Sequence, residues 1–222
     1  MTFDQSLWCK SRSIILNENA DSILKQTILM LGGFRTTMSY LGSVGNIMEG
    51  SGLKAVMELV YAGNAVEHIL NGKAYARGVR AHYLVDGALN AIVLEHIYGT
   101  TIFSENELDA NDTPDDLVEA LEFCDAILRE ELGDQDVCQQ NIFENIQTKI
   151  EAEKNVLSQF LTGKLWIQYM VMIDLLKTFI RSQRTGDFQL YLKCLQEMLP
   201  YLAAAIYTTS NQCRSIFRIC WI

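Results

Sequence analysis

A mostly α-helical, multi-helix fold with one small strand pair follows from three features of the sequence. Only two of its 222 residues are proline and 49% are hydrophobic, a composition that suits long helices and a sizeable core. Apolar residues recur at three- and four-residue intervals through most of the chain. That periodicity fails near the N-terminus, where the continuous run Thr27-Ile-Leu-Met-Leu31 stops at Gly32-Gly33 and reads as a short buried strand.

The elements are expected in this order. Met1–Asp4 is the end of a strand that pairs with Thr27–Leu31, and Gln5–Asn17 is a helix between them. Thr36 or Thr37 caps a helix to about Glu49, with Met38, Leu41, Val44, Gly45 and Met48 on its inner face. Gly50-Ser-Gly52 breaks the chain, and Leu53–Tyr61 places Leu53, Val56, Met57 and Val60 at core spacing. Asn64–Leu70 ends at Asn71-Gly72. Lys73–Tyr98 is a long helix with Tyr75, Val79, Leu84, Leu89, Ile92 and Val93 inside.

Residues 104–114 form an acidic loop with too few apolar side chains to pack. Thr113-Pro114-Asp115-Asp116 starts a helix that Gly133 stops. Asp136–Leu161 is a further helix, followed by Lys164–Gln183. The latter holds the most apolar stretch, Leu165–Ile180, and is expected to be the central buried helix, with Asp174 either facing solvent or partnered. Asp187 caps Phe188–Leu199, Pro200 interrupts, and Tyr201–Tyr207 resumes the helix. The expected organisation is an N-terminal segment 1–49, a helical domain 50–207 and a divergent tail 208–222.

The charge is uneven. Residues 105–154 carry sixteen acidic and three basic side chains, net −13, so the overall −9 comes from one block, and it does not exclude nucleic acid as a partner of the remainder. Leu165–Ile180 is interrupted by Gln168, Asp174 and Lys177 and is shorter than the roughly 20 apolar residues of a membrane span. The six cysteines show no CxxC spacing and no secretory signal precedes them, which reads as reduced thiols in an intracellular protein, nuclear or cytoplasmic.

Three constellations bear on chemistry. Asp4, at the end of a strand, is a candidate catalytic carboxylate for divalent ions; the alternative, an N-cap for the next helix, is the one local chemistry favours. Lys73, Arg77 and Arg80 fall at i, i+4, i+7, as do Lys177, Arg181 and Arg184. Each triplet makes one stripe, suited to phosphate and also to a solvated face or to pairing with the acidic block, the more ordinary use. His68, His82 and His96 are evenly spaced, but fourteen helical residues span about 21 Å, so they do not share a metal. The acidic block lacks EF-hand order, and no P-loop, GxSxG or HExxH is present. No metal site is expected among these residues.

The order of Asp4, helix, apolar strand and Gly32-Gly33 entering a helix resembles the middle of an RNase H-like nuclease core without its first half. Thr2-Phe-Asp-Gln-Ser-Leu-Trp8, Leu31-Gly-Gly-Phe-Arg-Thr-Thr-Met-Ser-Tyr-Leu-Gly42 and Gly50-Ser-Gly-Leu53 together resemble a family of uncharacterised, transposon-associated proteins repeated in invertebrate genomes. Further matches are Val60–His68, Gly72–Arg77, His82–Asp86, Leu165–Met170 and Arg184-Thr-Gly186, so the resemblance covers roughly residues 1 to 205. By analogy with hAT-like transposases, Asp4 stands where the second catalytic carboxylate would be, and the helices form an insertion before a last acid. This sequence departs from the family in having Arg35 where His is typical and Ser6 where Pro is usual, and in its residues 208–222.

The resemblance implies a truncated, transposon-derived fragment of a transposase-like, nucleic-acid-processing parent. DNA would be the partner of that parent, and Mg²⁺ its cofactor only if it is a two-metal nuclease. One carboxylate does not complete a two-metal site, so this chain is expected to be catalytically incomplete. The other function class is a helical interaction module without enzymatic activity, which binds a protein partner, with the acidic loop as its contact surface, or the missing domains of the parent.

Overall fold

The computed structural model describes residues 2–3, 5–19, 21–27, 29–99, 118, 119, 122, 126, 129 and 141–208, and eight α-helices can be given bounds among these described residues. They are α1 (Gln5–Asn17), α2 (Gly33–Ile47), α3 (Leu53–Glu58), α4 (Gly63–Leu70), α5 (Tyr75–Tyr98), α6 (Asn141–Leu157), α7 (Leu161–Thr185) and α8 (Phe188–Thr208). Regular β structure among the described residues is limited to β1 (Thr2–Phe3) and β2 (Met30–Leu31), paired in parallel with Thr2 opposite Met30. Two residues per strand do not make a sheet, so the fold is α-helical. Asp4, the acidic loop 104–114 and the tail 209–222 lie outside the described residues, as does most of the helix expected after Thr113.

The chain divides into two compact units, residues 1–85 with 169–222, and residues 86–168. In the first unit α2 is central. Its Tyr40, Leu41, Val44 and Met48 are buried, and the Tyr40 hydroxyl donates to the Met172 carbonyl of α7 at 3.1 Å. Burial, reinforced by nearby Tyr201, pushes the Tyr40 phenol far up, so it stays a neutral donor. Against α2 lies α8, whose Tyr191, Cys194, Met198, Leu202 and Ala205 form one buried stripe at helical spacing. Tyr201 meets Tyr40 edge-on at 6.2 Å.

The central part of α7 is buried as expected, through Tyr169, Met170, Met172, Ile173, Leu176, Phe179 and Ile180. Its Asp174 faces solvent and pairs with Lys177 at 3.3 Å. The α2–α4 approach depends on glycine. A Cβ on Gly45 would overlap the Leu70 carbonyl, and Gly72, at φ +67°, turns the chain so tightly that a Cβ would overlap the Met38 carbonyl.

Several expectations are corrected. Gly32, not Thr36 or Thr37, is the N-cap of α2, and both threonines are buried inside the helix. The helix thus begins four or five residues earlier than expected. Val56 and Val60 are exposed: within α3 only Leu53 and Met57 reach the core, and Val60 lies beyond its end at Glu58. On α5 the large side chains Leu84 and Ile92 face solvent, while Ala81, His82, Val85 and Asp86 are buried. Pro200 lies within α8 rather than breaking it, since Met198 and Leu202 on either side are held in the core. Among the described residues no helix is long and apolar enough to cross a membrane.

The second unit holds the C-terminal part of α5, all of α6 and the start of α7. Within it, His96 Nδ1 lies 2.9 Å from Glu153 Oε1, and the Lys149 ammonium sits 5.2 Å from the Tyr98 ring centroid.

Candidate functional site

In the first unit three helix ends meet. Gly32 enters α2 in an extended conformation without a side-chain cap, and Gly33 follows as the first helical residue. The amide end of the Gln183 side chain lies where a Cβ on Gly33 would be, so the first turn of α2 runs beside the last part of α7. Phe34 comes next and is 54% exposed. Its ring lies 4.9 Å from that of Tyr75, tilted by 39°, at the start of α5. Exposed Arg35 is its neighbour.

Cations gather beside these rings. The Lys177 ammonium of α7 stands 5.8 Å from the ring centroid of Tyr83 on α5, a cation–π distance. Burial pushes the Tyr83 phenol up, Lys177 and then Arg184 pull it back, and Tyr75 adds a smaller push. Lys177, Arg184 and Tyr75 therefore each lie within electrostatic reach of the Tyr83 hydroxyl. At about 100° per residue, Lys177, Arg181 and Arg184 fall within roughly 60° of arc, so Arg181 shares the stripe. Arg80 precedes Tyr83 by one helical turn, Arg77 lies one turn further back, and both are exposed.

Of the six basic candidates, Lys177 and Arg184 approach Tyr83, on the helix that holds Arg77 and Arg80. Lys73 stands off that helix: α5 begins at Tyr75, and the Lys73 N–H instead bonds the His68 carbonyl at 2.9 Å. The aromatic members, Phe34, Tyr75 and Tyr83, were not recognisable as site residues from stripes of charge. One signal was present. Phe34 directly follows a glycine pair, in a first turn where no core partner was assigned to it.

The charge follows the two-unit division. Residues 1–85 with 169–222 hold fourteen basic and nine acidic side chains, net +5, while residues 86–168 hold four and eighteen, net −14. The basic face thus belongs to a unit of its own sign.

The histidines are placed apart in role. His68 is exposed, and His96 pairs with Glu153. His82 is fully buried, with Nδ1 2.9 Å from the Tyr169 hydroxyl and no partner for Nε2 among the described residues. Donation from Nδ1–H to the phenol oxygen leaves only a bare lone pair on Nε2, the cheaper of the two orphans. Burial lowers its pKa to about 4. Among the described residues no three His, Cys, Asp or Glu side chains are grouped to hold a metal ion. Asp4, the candidate carboxylate, lies outside them.

Neither a curated protein nor a solved structure matches this chain. A family model described as a domain of unknown function (DUF8702) matches residues 1–217, and the chain belongs to that family.

Proposed function

We propose that the α5–α7 face of the first unit binds nucleic acid through its phosphates, and that the chain is the helical part of a transposon-derived, transposase-like protein. The observation that carries the binding is the Lys177 ammonium over the Tyr83 ring, with Arg184 also within electrostatic reach of Tyr83, on the helix that holds exposed Arg77 and Arg80. Cations held together repel one another, and a bound polyanion relieves that repulsion. The transposon origin rests on the resemblance at Thr2–Trp8 and Leu31–Gly42. DNA is the expected polyanion of such a protein. Mg²⁺ would enter only through acids of the parent beyond Asp4, since a two-metal site takes about three carboxylates.

The test is fluorescence polarisation with a labelled oligonucleotide across a salt series. The triple variant Lys177→Glu, Arg181→Glu, Arg184→Glu should weaken binding and reduce the slope of log K against log salt by about two to three, near one per lost phosphate contact. An unchanged slope overturns the reading. A protein-interaction module is the second reading, favoured by the exposed apolar turn Val56, Leu59 and Val60, with Leu59 84% exposed. Under it the charge reversals leave partner binding intact and Leu59→Ser abolishes it.

A further inference from the structure

We propose that the nucleic acid taken by this face is single-stranded, with Phe34 and Tyr75 as the platform on which its bases stack. The inference rests on the phosphate-binding reading above and adds the class of strand.

Phe34 is the observation. A phenylalanine that is 54% exposed gains little from folding, yet it is held in place from two sides. Its backbone belongs to a helical turn beside Gln183, and its ring lies 4.9 Å from Tyr75. It is an aromatic face that is ordered and still open to solvent. Gln183 immediately precedes Arg184, so the cation stripe of α7 ends beside it. Seven residues of helix separate Lys177 from Arg184, about 10 Å of positive edge leading to the rings.

The combination selects a single strand. In a duplex the faces of the bases are stacked on one another, and a protein reaches only their edges in the grooves. Exposed Phe34 would then have nothing to stack on. In a single strand every base offers a face, while the phosphates still meet the cations, and this pairing of stacking ring and basic track is independent of sequence.

The experiment compares three labelled ligands on the full chain by fluorescence polarisation: a twelve-residue oligothymidylate, a twelve-residue oligouridylate and a twelve-base-pair duplex. Either single strand is expected to bind more tightly than the duplex, and the better of the two identifies the sugar. Phe34→Ala should weaken the single strands by about 5- to 100-fold, the loss of one stacked base, and leave duplex affinity unchanged. Unchanged duplex affinity also reports that the variant is folded. Phe34→Trp should restore single-strand binding, and its indole fluorescence should be quenched by the oligothymidylate. Equal loss for all three ligands, or a duplex that binds at least as tightly as both single strands, overturns the stacking inference and leaves phosphate binding standing. Binding of none of the three overturns both.

Discussion

His82 shows how a single residue sets a condition on the whole fold. It is buried as a neutral imidazole, with one hydrogen bond to Tyr169 and a pKa lowered to about 4 by burial. In the unfolded chain it titrates near the ordinary 6.5. Between those values the unfolded state carries a proton that the folded state refuses, so stability is full above about pH 6.5 and falls as the pH drops toward 4. The slope of that loss is at most about 1.4 kcal/mol per pH unit. Urea midpoints at pH 7 and pH 5 should therefore differ more for the native chain than for His82→Gln, which carries no titrating group there. Equal pH dependence would mean that His82 is hydrated. At Asp4 the expectation is about chemistry. The purified chain should show no Mg²⁺- or Mn²⁺-dependent cleavage of DNA, because one carboxylate does not hold two metals. Cleavage that disappears in Asp4→Ala would show that other acids complete a site.

At the scale of elements, what the sequence made legible was whatever a local pattern records. The inner face of α2, the burial of α7 and the Asp187 cap, whose carboxylate accepts from the Leu190 N–H at 3.0 Å, all come from spacing or from a cap residue. The buried face of α5 was legible only in part: Val93 is inside, but size of side chain is a poor guide to the rest. Leu84 and Ile92 point out, while Ala81 and His82 are enclosed. That choice is tertiary and leaves no local trace. Pro200 is the same lesson in reverse, since a local breaker yields to the stripe Cys194, Met198, Leu202. Gly45 permits a test of close approach. Gly45→Ala adds a methyl group that overlaps the Leu70 carbonyl, a backbone atom that cannot rotate away. It should destabilise the chain by about 1–3 kcal/mol despite the better helix propensity of alanine, read as a lower urea midpoint. Gly87→Ala, where a Cβ meets nothing within 4 Å, is the control and should be neutral or stabilising.

For the molecule as a whole, the same chain carries a unit of net +5 and one of net −14. The stripes of charge were legible in the sequence. The approach of Lys177 and Arg184 to Tyr83 was not, because residue 83 and residues 177–184 come together only through the packing of α5 and α7. The opposite charge of the second unit has a consequence for binding. At about 10 mM salt the Debye length is roughly 30 Å, so negative charge repels an approaching nucleic acid over distances comparable to a whole domain. At 1 M it is about 3 Å and only direct contacts matter. Replacing Glu105, Glu107, Asp109, Asp112, Asp115 and Asp116 with their amides removes six negative charges and leaves the sequence of the basic face as it is. Affinity for an oligonucleotide should then rise at low salt, mainly through a faster association rate, and the difference should vanish as salt increases. A rise that persists at high salt would mean that the acidic residues occupy the cations directly. No rise at any salt would place nucleic-acid binding elsewhere, or nowhere, on this chain.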